Sequence, residues 1–498
     1  MKISIQSFAV FTFTLATFAL QPIVQAVVPP PDGGYPGGNT AEGQNALLSL
    51  TTGGFNTALG FLSLRSDTDG SFNTAVGAGT LLMNTGENNT AVGAGALLNN
   101  TLNGANTAVG TFALLSNTKG SSNTAMGAEA LLSNTVGFTN CAFGWRALKS
   151  NTTGPANTAV GTIALSSNTD GDNNTAVGSG AMFLNTVGFE NTAMGAGALL
   201  LNLDGGDNTA MGVQALALND AGSFNTAIGE SALYLNTTGT DNVAVGVQAM
   251  SNNDNGIQNT AVGNAALASN TSGINNTAVG FGALPNSTGS GSIGIGSNAG
   301  ELVGSSNNVI AIGNPGDDVD NTTWIGNIYG VSTQGGTTAQ VIVSDSGQLG
   351  TVASSERFKK DIATMEDASE TILSLRPVTF HYKSDCNETP QFGLIAEEVA
   401  RVNPALVLPD RDGKPYTVRY DAVNAMLLNE FLKEHRKVEE LESAMAQQRK
   451  DFEAATVQQQ KTTEDLVARL NEQEERIQKV SAQVEMRRSG AQMLVENQ

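Results

Sequence analysis

The sequence predicts a mainly β protein, built as a parallel β-solenoid or β-roll of 17-residue repeats and followed by a small α+β domain and a C-terminal coiled-coil helix. Three observations support this fold class. A short motif recurs at a constant spacing through residues 56–330. The density of charged residues rises sharply at residue 354, which marks a second domain. Residues 423–486 contain neither proline nor glycine and are rich in helix-forming residues.

Residues 1–26 are expected to form a signal peptide. Met1-Lys2 is a short positive start, and Ile3–Leu20 carries no charge and is dominated by apolar residues. The small Ala26 suits signal peptidase, so we expect cleavage after it. The alternative is a retained membrane anchor, but no later stretch approaches the ~20 apolar residues that span a bilayer. We therefore expect a secreted or cell-surface protein with no membrane span after signal removal.

Two segments are predicted to connect the larger parts of the chain. Residues 27–55 are rich in proline and glycine, as flexible spacers are. Residues 331–353 form a second connector, in which Ala339–Val343 predicts a strand and Asp345–Gly347 a turn.

The motif Asn-Thr-Ala-aliphatic-Gly defines the repeat. Its asparagine recurs every 17 residues, with one step of 16, at Asn56, Asn73, Asn89, Asn106, Asn123, Asn140, Asn157, Asn174, Asn191, Asn208, Asn225, Asn242, Asn259 and Asn276. A unit this short has too few apolar side chains for its own core, so the units must stack, with identical residues in ladders. We expect the motif's alanine and its large aliphatic residue to share one side of the strand. The Ala-Leu pair that follows fits either a second strand or one helical turn.

These repeats resemble the head repeats of trimeric autotransporter adhesins, a left-handed parallel β-roll with Asn-Ser/Thr-x-Ala-x-Gly-type motifs. The resemblance covers roughly residues 56–326. It implies that three chains pack side by side into a stalk or fibre, whose surface could present a cell-surface or glycan-binding face.

Charge and cysteine content exclude several classes of function. Asp and Glu number 46 against 25 Lys and Arg, a net charge of −21. The basic residues up to residue 353 are Lys2, Arg65, Lys119, Arg146 and Lys149. Nucleic-acid binding is not expected, because a phosphate backbone requires clustered basic residues. Cys141 and Cys386 are too far apart for a zinc knuckle or a disulfide framework, and we expect neither metal nor cofactor.

Residues 354–430 predict a small α+β domain, with a strand at Val378–Tyr382 and a helix at Ala396–Val402. Four blocks closely resemble the C-terminal intramolecular chaperone domain of phage endosialidase tail spikes, which also occurs in other phage fibres and in membrane-bound myelin regulatory factors. The blocks are Ser354, Arg357, Lys359 and Ile362 in Ser-x-x-Arg-x-Lys-x-x-Ile, then LRPVTFHY, GLIAEEV and YTVRYD.

In that family the domain trimerises, guides the folding of the upstream fibre and then cuts itself off with a Ser/Lys dyad. The resemblance implies that Ser354 is the nucleophile, that Lys359 is its general base and that the Ala353–Ser354 bond is cut. A serine hydroxyl needs a nearby base, and a lysine partly desolvated in a trimer interface can serve once its pKa falls. Ser355 with Lys360 has the same spacing, and this sequence also fits a plain helix start with serine as N-cap.

Other candidate catalytic residues have structural interpretations. His381 and His435 are the only histidines, and 54 residues separate them, so a Ser-His-Asp hydrolase is poorly supported. Glu397 and Glu398 are expected to form the solvated face of their helix rather than a glycosidase pair.

Residues 431–498 predict a coiled-coil tail. Phe431, Val438, Met445 and Phe452 are seven residues apart, with Leu441 and Ala455 at the complementary core positions. The seam resumes after a shift of register with Leu466, Leu470, Ile477, Val480 and Val484. The alternative is one amphipathic helix that folds back on the domain.

Together these features predict a secreted homotrimeric fibre or adhesin-like structural protein, whose C-terminal domain assists trimer folding and is released by self-cleavage before Ser354. The alternative is a surface adhesin or glycan-binding fibre that keeps a non-cleaving trimerisation tail. A prophage tail fibre fits less well, since virions assemble in the cytoplasm and need no signal peptide.

Overall fold

The computed structural model describes residues 35–332, 337–410 and 412–492. The predicted signal peptide and the start of the spacer therefore lie outside the described residues. The chain divides into two compact units, residues 1–334 and 335–498. Within the described ranges, no helix is both long and apolar enough to cross a membrane.

The first unit is a parallel β-solenoid, as predicted. Each coil contributes one three-residue strand, and each strand pairs in parallel with the next at the spacing of the repeat. The strands, β1 to β18, are Thr40–Glu42, Thr57–Leu59, Thr74–Val76, Thr90–Val92, Thr107–Val109, Thr124–Met126, Cys141–Phe143, Thr158–Val160, Thr175–Val177, Thr192–Met194, Thr209–Met211, Thr226–Ile228, Val243–Val245, Thr260–Val262, Thr277–Val279, Ile293–Ile295, Ile310–Ile312 and Thr323–Ile325. The sheet begins with β1, which lies inside the segment predicted as spacer and pairs Ala41 with Ala58.

The alanine of each motif points into the solenoid, and the residues on either side of it point out. Ala108 and its counterparts have no exposed surface, whereas Thr107 and Val109 are half-buried. The prediction that the alanine and the aliphatic residue share one side of the strand is therefore wrong. They are consecutive residues, and consecutive strand residues face opposite sides.

The Ala-Leu pair forms neither a strand nor a helical turn. Its leucine is fully buried and adopts the left-handed backbone conformation, with φ of 51° at Leu114. That conformation costs roughly 1–2 kcal/mol for a residue with a side chain. The burial of the leucine and a 3.0 Å hydrogen bond from its N–H to Ala130 O in the next coil offset this cost.

The glycine that closes each motif is required by sterics. Gly110 has φ of 139°, and a Cβ at this position would lie 2.5 Å from Gly127 O in the next coil. Close stacking of coils therefore needs glycine here.

Two columns of buried asparagines run along the solenoid. In the first column, the motif asparagines, the N–H of Asn106 donates to Asn89 Oδ1 at 3.1 Å. In the second column, which we call the turn ladder, Asn117 Nδ2 donates to Asn100 Oδ1 at 2.8 Å and to Gly120 O at 2.9 Å. Buried amides that bond to each other in this way avoid the cost of desolvated, unpaired polar groups.

The turn ladder ends in different residues. Its first position is Asp67, which is fully buried and accepts a hydrogen bond from Gly70 N. Burial raises the pKa of Asp67 to about 6, against the opposing effect of hydrogen bonds from Gly70, Asn84 and Asn73. At the other end, Ser287 replaces asparagine. Neither Ser287 Oγ nor the neighbouring Asn270 Oδ1 has a hydrogen-bond partner, although both are buried.

The second unit consists of small β hairpins and a long helix. Antiparallel pairs join β19 (Val341–Val343) to β20 (Leu349–Thr351), β21 (Val378–Phe380) to β22 (Gln391–Gly393) and β23 (Val407–Pro409) to β24 (Pro415–Val418). The helices are α1 (Ala396–Val402) and α2 (Tyr420–Gln492), with 3-10 helices at Glu356–Phe358, Glu366–Ser374 and Pro404–Leu406.

The core of this unit is small. Val399, Leu406 and Val418 are buried, and partly buried residues such as Leu375 and Met426 pack around them. Helix α2 continues well beyond this core, since its 73 residues span about 110 Å. Its predicted seam is exposed, for instance 65% at Phe431 and 73% at Phe452. The pairing of such helices in a coiled coil stays a prediction.

Candidate self-cleavage site

The segment that follows β20 brings Ser354 and Lys359 together. The chain is extended up to Ser355 and then makes the 3-10 turn Glu356–Phe358, closed by a 3.0 Å hydrogen bond from Phe358 N to Ser355 O. This turn places Lys359 Nζ 3.2 Å from Ser354 Oγ, and the ammonium donates to the hydroxyl. The peptide bond that precedes Ser354 therefore has a nucleophile and a base directly beside it.

The alternative pair, Ser355 and Lys360, makes no such hydrogen bond. Ser355 occupies the N-cap position of the 3-10 turn, but its side chain makes no capping hydrogen bond. Arg357, another residue of the resemblance, lies over the ring of Phe358, with its guanidinium carbon 4.7 Å from the ring centroid.

The pair is open to solvent in a single chain. Ser354 and Lys359 are exposed, as are the neighbouring Phe358 and Ile362. A lysine acts as a base only as the neutral amine, and burial against other groups favours that form. Burial against another chain would therefore complete this arrangement chemically.

The other candidates from the sequence have different surroundings. His381 is exposed, and His435 lies on helix α2 with its Nε2 3.5 Å from Glu439 Oε1. Glu397 is exposed, whereas Glu398 accepts two hydrogen bonds from the Arg376 guanidinium, at 2.6 and 3.1 Å. This contact lowers the pKa of Glu398 and ties helix α1 to the start of β21. Both cysteines are free, and the described residues contain no cluster of His, Cys, Asp and Glu that could hold a metal ion.

The start of the second unit can now be compared with known families. Residues 354–408 match the family described as the chaperone of endosialidase. This confirms the resemblance, and the match begins at Ser354 itself. We call these residues the chaperone segment. No curated protein matches the chain.

The chaperone segment is held to helix α2 by a polar cluster that the sequence analysis did not find. Ser369 is fully buried, and its Oγ donates to Glu430 Oε1 at 2.5 Å and accepts from Asn429 Nδ2 at 2.7 Å. Asn429 Nδ2 also donates to Glu366 O at 2.9 Å. These partners are about 60 residues apart in the chain, so no local pattern announces them.

Lys433 completes the cluster electrostatically. Its Nζ lies 3.0 Å from Glu430 Oε1, 3.3 Å from Asp367 Oδ1 and 3.5 Å from Glu370 Oε1. The hydrogen bond from Ser369, followed by the contact with Lys433, lowers the pKa of Glu430. The contact with Glu430 in turn raises the pKa of Lys433. We call Ser369, Asn429, Glu430 and Lys433 the latch.

Proposed function

We propose that this chain is a secreted, homotrimeric fibre protein whose chaperone segment assists assembly and then cuts the chain between Ala353 and Ser354. The β-solenoid and the chaperone segment fit a tail-spike-like structural protein. The observation that carries the cleavage is the 3.2 Å contact between Lys359 Nζ and Ser354 Oγ at the first residue of the family match.

The reaction balances with the groups present. Neutral Lys359 takes the proton of the Ser354 hydroxyl, and Oγ attacks the carbonyl carbon of Ala353. The C–N bond breaks, and the Ser354 nitrogen leaves as an amine after taking up a proton. Water then hydrolyses the ester, which frees the Ala353 carboxylate and restores the Ser354 hydroxyl. The cut happens once per chain and leaves no enzyme with turnover.

Exposed apolar surface supports the trimer. The third residue of each solenoid strand forms a stripe along the coils, with Val92 37% and Ile295 43% exposed. A continuous stripe of this length exceeds the apolar patches that ordinary monomers leave in water. The seam of helix α2 and an open apolar groove of about 650 Å³, lined by Pro377, Phe392 and Leu427 among others, add further unpartnered surface. The family of the chaperone segment implies the same assembly.

Fragment masses test the cleavage. Purified wild-type protein is expected to give two fragments, residues 27–353 and 354–498, on a denaturing gel and by intact mass, and the first fragment also reports the predicted cut after Ala26. Ser354→Ala and Lys359→Ala should abolish both fragments.

Ser355→Ala and Lys360→Ala are the matched controls and should cleave normally. A single full-length band from the wild-type chain would contradict self-cleavage and would favour an adhesin-like or glycan-binding fibre with a retained tail.

A further inference from the structure

The latch occupies a face of helix α2 that is separate from the predicted coiled-coil seam. At about 100° per residue, Asn429, Glu430 and Lys433 lie roughly 100° to 160° around the helix axis from Phe431. Phe431 is 65% exposed, whereas Glu430 is only 8% exposed. The helix can therefore bind partner helices through its seam while the latch stays closed.

The other half of the latch belongs to the element that follows the proposed cleavage site. The 3-10 helix Glu366–Ser374 begins seven residues after Lys359, and it contributes Ser369 and the two carboxylates that face Lys433. Ser369 Oγ and Asn429 Nδ2 are both hydrogen-bonded, and Lys433 has three acidic partners. A fully bonded polar network of this kind fixes one arrangement of the two elements.

We infer that the latch positions the cleavage site: it anchors the segment carrying Ser354 and Lys359 to helix α2, so that the cut before Ser354 requires a docked helix. This inference rests on the proposed function. It assigns Lys433 and Glu430 as positioning residues, which act through the placement of the 3-10 helix and touch neither reacting atom. Because helix α2 also carries the trimerisation seam, the latch links assembly to cleavage.

The test uses the full-length chain with Lys433→Met, which removes the charge and keeps a long side chain. Displacement of a reacting pair by about 1 Å costs about 100-fold in rate, so cleavage should slow by about 10- to 100-fold. Lys433→Arg should recover most of the rate. The matched control is Lys437→Met, because the ion pair of Lys437 is with Glu434 on the same helix.

Two further readouts separate positioning from loss of structure. Trimer mass and thermal midpoint should be unchanged in Lys433→Met. In a Ser354→Ala background, hydrogen exchange of residues 354–374 should rise with Lys433→Met and stay constant with Lys437→Met.

Normal cleavage by Lys433→Met overturns the inference, as does a parallel loss of trimer and cleavage. Failure of the wild-type chain to cleave overturns the proposed function instead. In that case the exchange measurement still decides whether the latch holds the segment, and unchanged exchange refutes it.

Discussion

The two units of this chain bury their apolar residues to very different extents. In the solenoid, one ladder of alanines and leucines from Ala58 to Leu284 is completely shielded from solvent by neighbouring coils. In the second unit, the buried core comprises Val399, Leu406 and Val418, and most large apolar side chains of helix α2 are exposed. The solenoid therefore supplies its own core by repetition, whereas the chaperone unit has apolar surface that only other chains could cover.

The largest expected effect contrasts one leucine from each unit. Leu165→Ala removes a fully buried side chain and should destabilise the solenoid by about 3–4 kcal/mol. Leu441→Ala removes a side chain that is 68% exposed in one chain and should act only through assembly.

Thermal unfolding at several protein concentrations checks this contrast. The effect of Leu165→Ala should be independent of concentration, and that of Leu441→Ala should grow on dilution. An equal, concentration-independent loss in both variants would remove the distinction between the units.

The next effect concerns the charged end of the turn ladder. Because burial raises the pKa of Asp67 from 3.8 to about 6, the folded state favours the protonated acid. The stability that this provides is complete below pH 3.8 and is lost as the pH rises through 6. Asp67→Asn should remove this dependence and stabilise the first coils at pH 7 by about 2–3 kcal/mol.

Unfolding as a function of pH, together with hydrogen exchange of residues 40–72, measures this change. Asp69→Asn is the control, since Asp69 is exposed on the same turn. Unaltered pH dependence in Asp67→Asn would mean that the buried carboxyl does not control the end of the ladder.

The smallest effect is expected at the opposite end of the ladder. Ser287→Asn should supply the donor that Asn270 Oδ1 lacks and raise stability by about 1 kcal/mol. The exposed Ser272→Asn in the preceding coil is the matched control and should be neutral. A lower thermal midpoint for Ser287→Asn would show that the last coils cannot accommodate the ladder residue.

The repeat made the solenoid predictable, because a fixed spacing requires stacked units whatever their exact shape. The Ser354/Lys359 pairing was predictable from its resemblance to a family, and the observed contact has the preferred register. The conformation of the Ala-Leu pair was not predictable, since a leucine at positive φ contradicts the usual preference of that residue. The first coil at Thr40–Glu42 was assigned to a spacer because prolines and glycines surround it.

The latch was missed for a different reason. Ser369, Glu430 and Lys433 are ordinary polar residues in a charged domain, and only the packing of two elements distant in sequence brings them together. Charged residues on a long helix are expected to be solvated, and nothing local distinguishes these from their neighbours.

The left-handed leucine has a consequence for how the fibre can vary. From Leu47 to Leu284 the corresponding position holds leucine or methionine, as at Met182 and Met250, and each has φ near 50°. Neither side chain is branched at Cβ, and branching is what makes positive φ most costly. Valine and isoleucine would match the hydrophobicity of the column but not its backbone. The coils therefore constitute a module that can be lengthened or shortened freely, provided that branching, and not oiliness alone, governs the choice at this position.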